Sequence, residues 1–102
     1  MTTNEALSLL VLAVRNRIDF FSSRADEPLD VALDDFTATY SDDEVDEKGI
    51  GQVESYINRF NAMKVLEREG IVTRSIKGAP NLRYIQFTLT EEGKLMMKAM
   101  LL

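Results

Sequence analysis

The chain has 102 residues, with 12 Lys and Arg against 17 Asp and Glu, no His, Cys or Trp, and a formal charge of −5 at pH 7. That is the length of one domain, and 45% hydrophobic with 28% charged residues suits an ordinary folded protein rather than a disordered one. Missing Cys excludes a disulfide framework, a thiolate zinc site and a Cys nucleophile, and missing His removes the commonest general base and metal ligand.

The first helix starts at Thr2, where Thr2 and Glu5 have the spacing of a capping box. Leu7, Leu10, Val11, Val14, Ile18 and Phe21 recur at helical spacing along it. Leu9, Leu12 and Phe20 lie off that stripe, which is more apolar surface than one core-facing side needs and points to a second contact surface. The stretch Leu7–Val14 is broken by Ser8 and is far shorter than the roughly 20 residues of a bilayer span. With no basic leader or cleavage signature, the expectation is a cytoplasmic protein without membrane contact.

Pro28 suits the first turn of a second helix, marked by Leu29, Ala32, Leu33, Phe36 and Tyr40, with Asp30, Asp34 and Asp35 on its other side. Ser41 to Gly51 follows as a polar, acidic connection with two glycines. Clustered carboxylates invite a calcium reading, but the spacing fails. Placing Gly49 at the turn of an EF-hand loop puts Lys48 on a ligand position and Ser55 where a bidentate Glu belongs. No metal and no cofactor is expected.

A third helix runs from about Gly51 to Glu69, with Val53, Tyr56, Phe60, Met63, Leu66 and Glu67 on one side and Ile57, Asn61, Val65 and Arg68 on another. Gly70 is the expected left-handed residue after it. Ile71 to Ile76 and Leu82 to Leu89 read as the strands of a β-hairpin around a turn at Lys77 to Asn81. Alternation places Ile85, Phe87 and Leu89 over a core. Thr90 caps a last helix, Glu91 and Glu92 complement its dipole, and Leu95, Met96, Met97, Ala99, Met100, Leu101 and Leu102 leave it little polar surface.

Charge divides the chain. Met1 to Gly51 holds 12 acids against 4 bases, a net of −8, whereas Gln52 to Leu102 holds 8 bases against 5 acids, a net of +3. A basic half on an acidic body can mark a surface for a polyanion.

Two segments, LEREGIVTR at Leu66 to Arg74 and YIQFTLTEEGKLM at Tyr84 to Met97, carry a family resemblance. Together with the element order they resemble winged helix-turn-helix transcriptional regulators of the MarR and PadR kind. The resemblance covers roughly the C-terminal half and implies a mainly α domain over residues 1–102 with a small β-hairpin: three helices, a two-stranded wing and a C-terminal helix. It also implies that the third helix enters the major groove of double-stranded DNA and that the wing lies on the backbone. Gln52, Ser55, Asn58 and Arg59 are then the candidates to read bases, and Arg74, Lys77 and Arg83 the candidates to hold phosphates. A homodimer would pair through Leu9, Leu12 and Phe20 of the first helix and Met97, Met100 and Leu101 of the last.

Two readings therefore compete. One is a small homodimeric DNA-binding regulator. The other is a winged-helix module that binds a protein partner through its acidic loop and apolar helices, a reading favoured by the 11-residue connection where a helix-turn-helix has a turn of about 3 to 4 residues. No enzyme is expected. Asp34 and Asp35 do not face each other on a helix, Ser22 and Ser23 have no base in view, and Gly49 and Gly51 lack the strand and Lys-Ser/Thr pair of a phosphate loop.

Overall fold

A computed structural model of the chain describes residues 1–41, 50–79 and 82–102, with the backbone alone at 41, 50–58, 79 and 82. Among the described residues the elements run α1 (Thr3–Phe21), α2 (Pro28–Asp35), β1 (Thr37–Ser41), α3 (Ile50–Arg68), β2 (Val72–Ala79), β3 (Leu82–Leu89) and α4 (Glu91–Leu101). None of these helices is long and apolar enough to cross a membrane.

Helix α1 starts where its cap residues require. The Thr2 hydroxyl oxygen accepts from the Glu5 amide at 3.2 Å and donates to the Glu5 carboxylate at 3.1 Å, satisfying one amide that the first turn leaves without a partner. Ala6, Leu10 and Val14, spaced four apart, form its fully buried line. Helix α2 opens on Pro28, buries Ala32 and Leu33, and ends at Asp35 rather than continuing to Tyr40. Phe36 and Tyr40 fit helical spacing, but Thr37 to Ser41 form strand β1 instead. There β-branched Thr37 and Thr39 suit extended backbone, and the pairing with β3 holds it.

The sheet is antiparallel with order β1-β3-β2, so β3 is central and β1 and β2 are edges. The fold is thus mixed, helices with a three-stranded sheet, where the sequence led to a mainly α domain with two strands. β2 pairs with β3 from Val72↔Leu89 to Ala79↔Leu82, which puts Lys77, Gly78 and Ala79 in the strand and not in a turn. Residues 80 and 81 lie outside the described residues, as does most of the acidic connection from Ser41 to Gly51.

Phe87 of β3 is fully buried at the centre of the core. Its ring meets Tyr40 of β1 at 6.0 Å and Phe60 of α3 at 5.9 Å, and those two rings meet at 5.2 Å, all edge-to-face. One aromatic cluster therefore joins three elements. Val65 is buried beside Ala62, Met63 and Leu66, so the core-facing side of α3 is wider than its main stripe, and Val65 leaves no apolar spot on an outward face.

Helix α3 ends in a Schellman arrangement. Gly70 has φ +75°, its amide donates to the Glu67 carbonyl at 3.1 Å, and the Ile71 amide donates to the Leu66 carbonyl at 2.9 Å. The chain then enters β2. At the other end of the hairpin Thr90 joins three elements. Its hydroxyl accepts from the Gly93 amide at 3.0 Å and donates towards the Gly70 carbonyl at 2.6 Å, while its own amide donates to the Ile71 carbonyl at 3.0 Å. Helix α4 is thereby fixed to the turn that ends α3. Its far side is tied to α2 by Lys94–Asp34 at 3.0 Å and Lys98–Asp30 at 2.9 Å.

Candidate nucleic-acid interface

Exposed cations lie on two consecutive elements, because α3 passes through Gly70 directly into the hairpin. On α3, Lys64 and Arg68 are exposed, and the Lys64 ammonium nitrogen lies 5.5 Å from the Phe60 ring centre; Arg59, also exposed, lies about half a turn around the helix from Arg68 and lines a groove that faces α1 and β1. On the hairpin, Lys77 and Arg83 are exposed. Arg83 pairs across the ladder with Gly78, whose φ is +101° and which has no side chain to cover the guanidinium. Ile76 next to them is 61% exposed, so the outer half of the hairpin projects past the core.

The remaining residues expected to contact DNA are placed differently. Arg74 is not free: its Nε and one terminal nitrogen donate to the two Glu67 carboxylate oxygens at 3.1 and 3.0 Å, and its guanidinium lies 5.3 Å from the Phe87 ring centre. This bidentate, stacked position ties β2 to α3, and Arg74 is occupied there instead of presenting charge to a phosphate. Gln52, Ser55 and Asn58 fall in the first half of α3, and their side chains lie outside the described residues.

The residues expected at a dimer interface also divide. Leu12 and Phe20 are 60% and 56% exposed, and Met100 is 48% exposed. Leu9 and Leu101 are partly buried against the chain's own core, and Met97 is wholly buried within it. Met97 is therefore part of the chain's own packing and presents nothing to a second copy. Lys94 and Lys98 on the α2-facing side have their pKa values raised, first by hydrogen bonds to Asp34 and Asp30 respectively, and Asp30 is correspondingly lowered, first by Lys98.

A separate open groove of about 650 Å³ runs between α1, β1 and α3, and includes Leu9, Leu12, Ala13 and Phe20 on the α1 side and Ala62 and Met63 on the α3 side. Among the described residues no group of three or more carboxylates is placed to hold a metal ion. Comparison with known proteins finds no matching family model, no matching curated protein and no matching solved structure.

Proposed function

We propose that the chain is a small homodimeric winged-helix DNA-binding protein of the cytoplasm, a transcriptional regulator, with α3 in the major groove and the β2–β3 hairpin along the backbone. The observation that carries this reading is the junction of α3 with a projecting hairpin, each bearing exposed cations on a chain that is acidic overall: Lys64 and Arg68 on the helix, Lys77 and Arg83 on the hairpin. The sheet order supports it, because the strand before α3 closes on the far strand of the hairpin and so fixes the hairpin's angle to the helix. Arg74 is the brace for that angle through Glu67.

The test is fluorescence anisotropy of a labelled 30-base-pair duplex at about 50 and 200 mM salt. Binding in the range of roughly 10⁻⁴ to 10⁻⁶ M that weakens steeply with salt is expected. The double variant Lys77→Gln, Arg83→Gln should lower the slope of log affinity against log salt by about 1.8, or about 0.9 per lost phosphate contact. Absence of binding at low salt would refute the reading.

A second reading, a protein-interaction module, is favoured by the exposed Leu12, Phe20, Leu95 and Met100 on the two outer helices. It is distinguished by partner capture that survives the Lys77 and Arg83 changes and is lost on neutralising Asp42, Asp43, Glu44, Asp46 and Glu47.

A further inference from the structure

The groove between α1, β1 and α3 has a shape and a charge that specify an occupant. Phe36, at the end of α2, and four consecutive residues of β1, Thr37 to Tyr40, line it. Neighbouring residues of a strand point to opposite faces, so a groove touched by both sets runs along the free edge of β1 and not across one face. On the opposite wall the lining residues of α1 run from Leu9 to Phe20, a rise of about 16 Å at about 1.5 Å per residue. The groove is thus long and narrow, and its walls are mainly apolar.

Its two ends differ in charge. At the Thr37 end Arg17 is already engaged: it pairs with Asp35 at 2.6 Å, donates to the Thr37 carbonyl at 3.3 Å and lies 5.9 Å from the Phe36 ring centre. At the Tyr40 end Arg59 is exposed and lines the groove, and among the described residues no carboxylate pairs with it. Tyr40 lines the groove beside Arg59, and its pKa is raised first by burial, an effect that the charge of Arg59 partly offsets.

We infer that this groove binds a linear acyl chain ending in a carboxylate, with the chain along α1 and β1 and the carboxylate on Arg59. With C–C bonds of about 1.52 Å opened at about 111°, each carbon advances an extended chain by about 1.25 Å, so roughly 12 carbons span the groove. One guanidinium without a carboxylate partner among the described residues matches one carboxylate, whose two oxygens it takes in a fork, whereas a dianionic head group would need the second arginine that Asp35 holds. A volume of about 650 Å³ falls among those of small-molecule sites.

Isothermal titration calorimetry of the full chain with sodium hexanoate, octanoate, decanoate and dodecanoate below their micelle concentrations tests this, with decyltrimethylammonium as the chain of opposite charge. Saturable binding of decanoate is expected, tightening with length by up to about fourfold per CH₂ as apolar surface is buried. Decanoate should bind at least tenfold tighter than decyltrimethylammonium, although the chain's own charge of −5 favours the cation. Arg59→Gln, at an exposed position, should weaken decanoate about tenfold or more and leave the cation no weaker. Leu12→Asn should weaken decanoate as well.

Absence of saturable decanoate binding, tighter binding of the cation, or an unchanged decanoate affinity in Arg59→Gln overturns the proposal. A dimer in light scattering that Leu12→Asn makes monomeric, with no decanoate bound, assigns the groove to a second copy and also overturns it. None of these readouts uses DNA, so the outcome is independent of the DNA-binding reading.

Discussion

Replacing Gly93 by Ala should destabilise the protein even though Ala is the better helix former. Gly93 sits in the first turn of α4, is buried, and donates its amide to the Thr90 hydroxyl. A Cβ built there would fall far inside van der Waals contact distance of the Ile71 carbonyl oxygen, 3.0 Å from the Ile71 carbonyl carbon and 3.2 Å from Ile71 Cγ2. The obstacle is backbone, and that carbonyl already accepts from the Thr90 amide, so it cannot turn away without breaking a bond that holds α4 in place. Ala gains about 1 kcal/mol over Gly in a helix interior, and less in a first turn. Overpacking costs typically 1–3 kcal/mol and more where backbone must move. A net loss of about 2–3 kcal/mol is expected, which for a domain of this size lowers Tm by roughly 10–20 °C. Urea titration and thermal melts followed by circular dichroism measure it, with the exposed neighbour Glu92→Ala as the control that should stay close to wild type. An equal or higher Tm for Gly93→Ala would refute the close approach of α4 to the end of α3.

Thr90→Val keeps the shape but loses the hydroxyl that caps Gly93 and bonds the Gly70 carbonyl, and should cost about 1–2 kcal/mol in chemical denaturation, while Thr90→Ser should recover most of it. Arg74→Met should cost about 0.5–1 kcal/mol, because the pair with Glu67 is a third exposed, and a double-mutant cycle with Glu67→Gln should show coupling of the same size. Asp30 is lowered from its ordinary value of 3.8, mainly by Lys98, so its contribution is present above that value and lost as pH falls through the lower folded value. Thermal melts from pH 6 downwards should therefore show a loss of stability beginning near pH 4 and smaller in Asp30→Asn. Lys98, raised above 10.5 by the same partner, contributes below that value and loses its share as pH rises past it, so the alkaline limb should also flatten in Asp30→Asn.

What could be read from the chain was local. Thr2 and Glu5, Thr90 with Glu91 and Glu92, and Gly70 each announce a helix end through chemistry contained within a few residues, and the alternation of Ile85, Phe87 and Leu89 shows which side of β3 meets the core. Strand β1 escaped because its evidence is elsewhere. Phe36 and Tyr40 satisfy the helical period as well as they satisfy the core, and the partner that decides between helix and strand is β3, far along the chain. The same holds for Arg74, whose fork closes on Glu67 only after the chain has turned at Gly70. Met97 and Met100 are both apolar residues of one helix, and only the packing of α4 against the core distinguishes the buried one from the exposed one. The groove had no sequence signal as a groove, although Leu9, Leu12 and Phe20 stood out as apolar residues off the main stripe of α1.

Folding order follows from the position of β3 between a near and a distant neighbour. β2 reaches β3 by closing a short loop, whereas β1 reaches it only across the whole of α3 and the hairpin, at a greater entropic cost. The hairpin and the end of α3 are thus expected to form first, with β1 and the helices before it added late. Truncation at Tyr40 should then quicken unfolding, while truncation at Ile71, in the part that forms first, should slow folding. The protein would lose its N-terminal half first under stress, opening the aromatic cluster from the β1 side while α4 stays attached at Thr90.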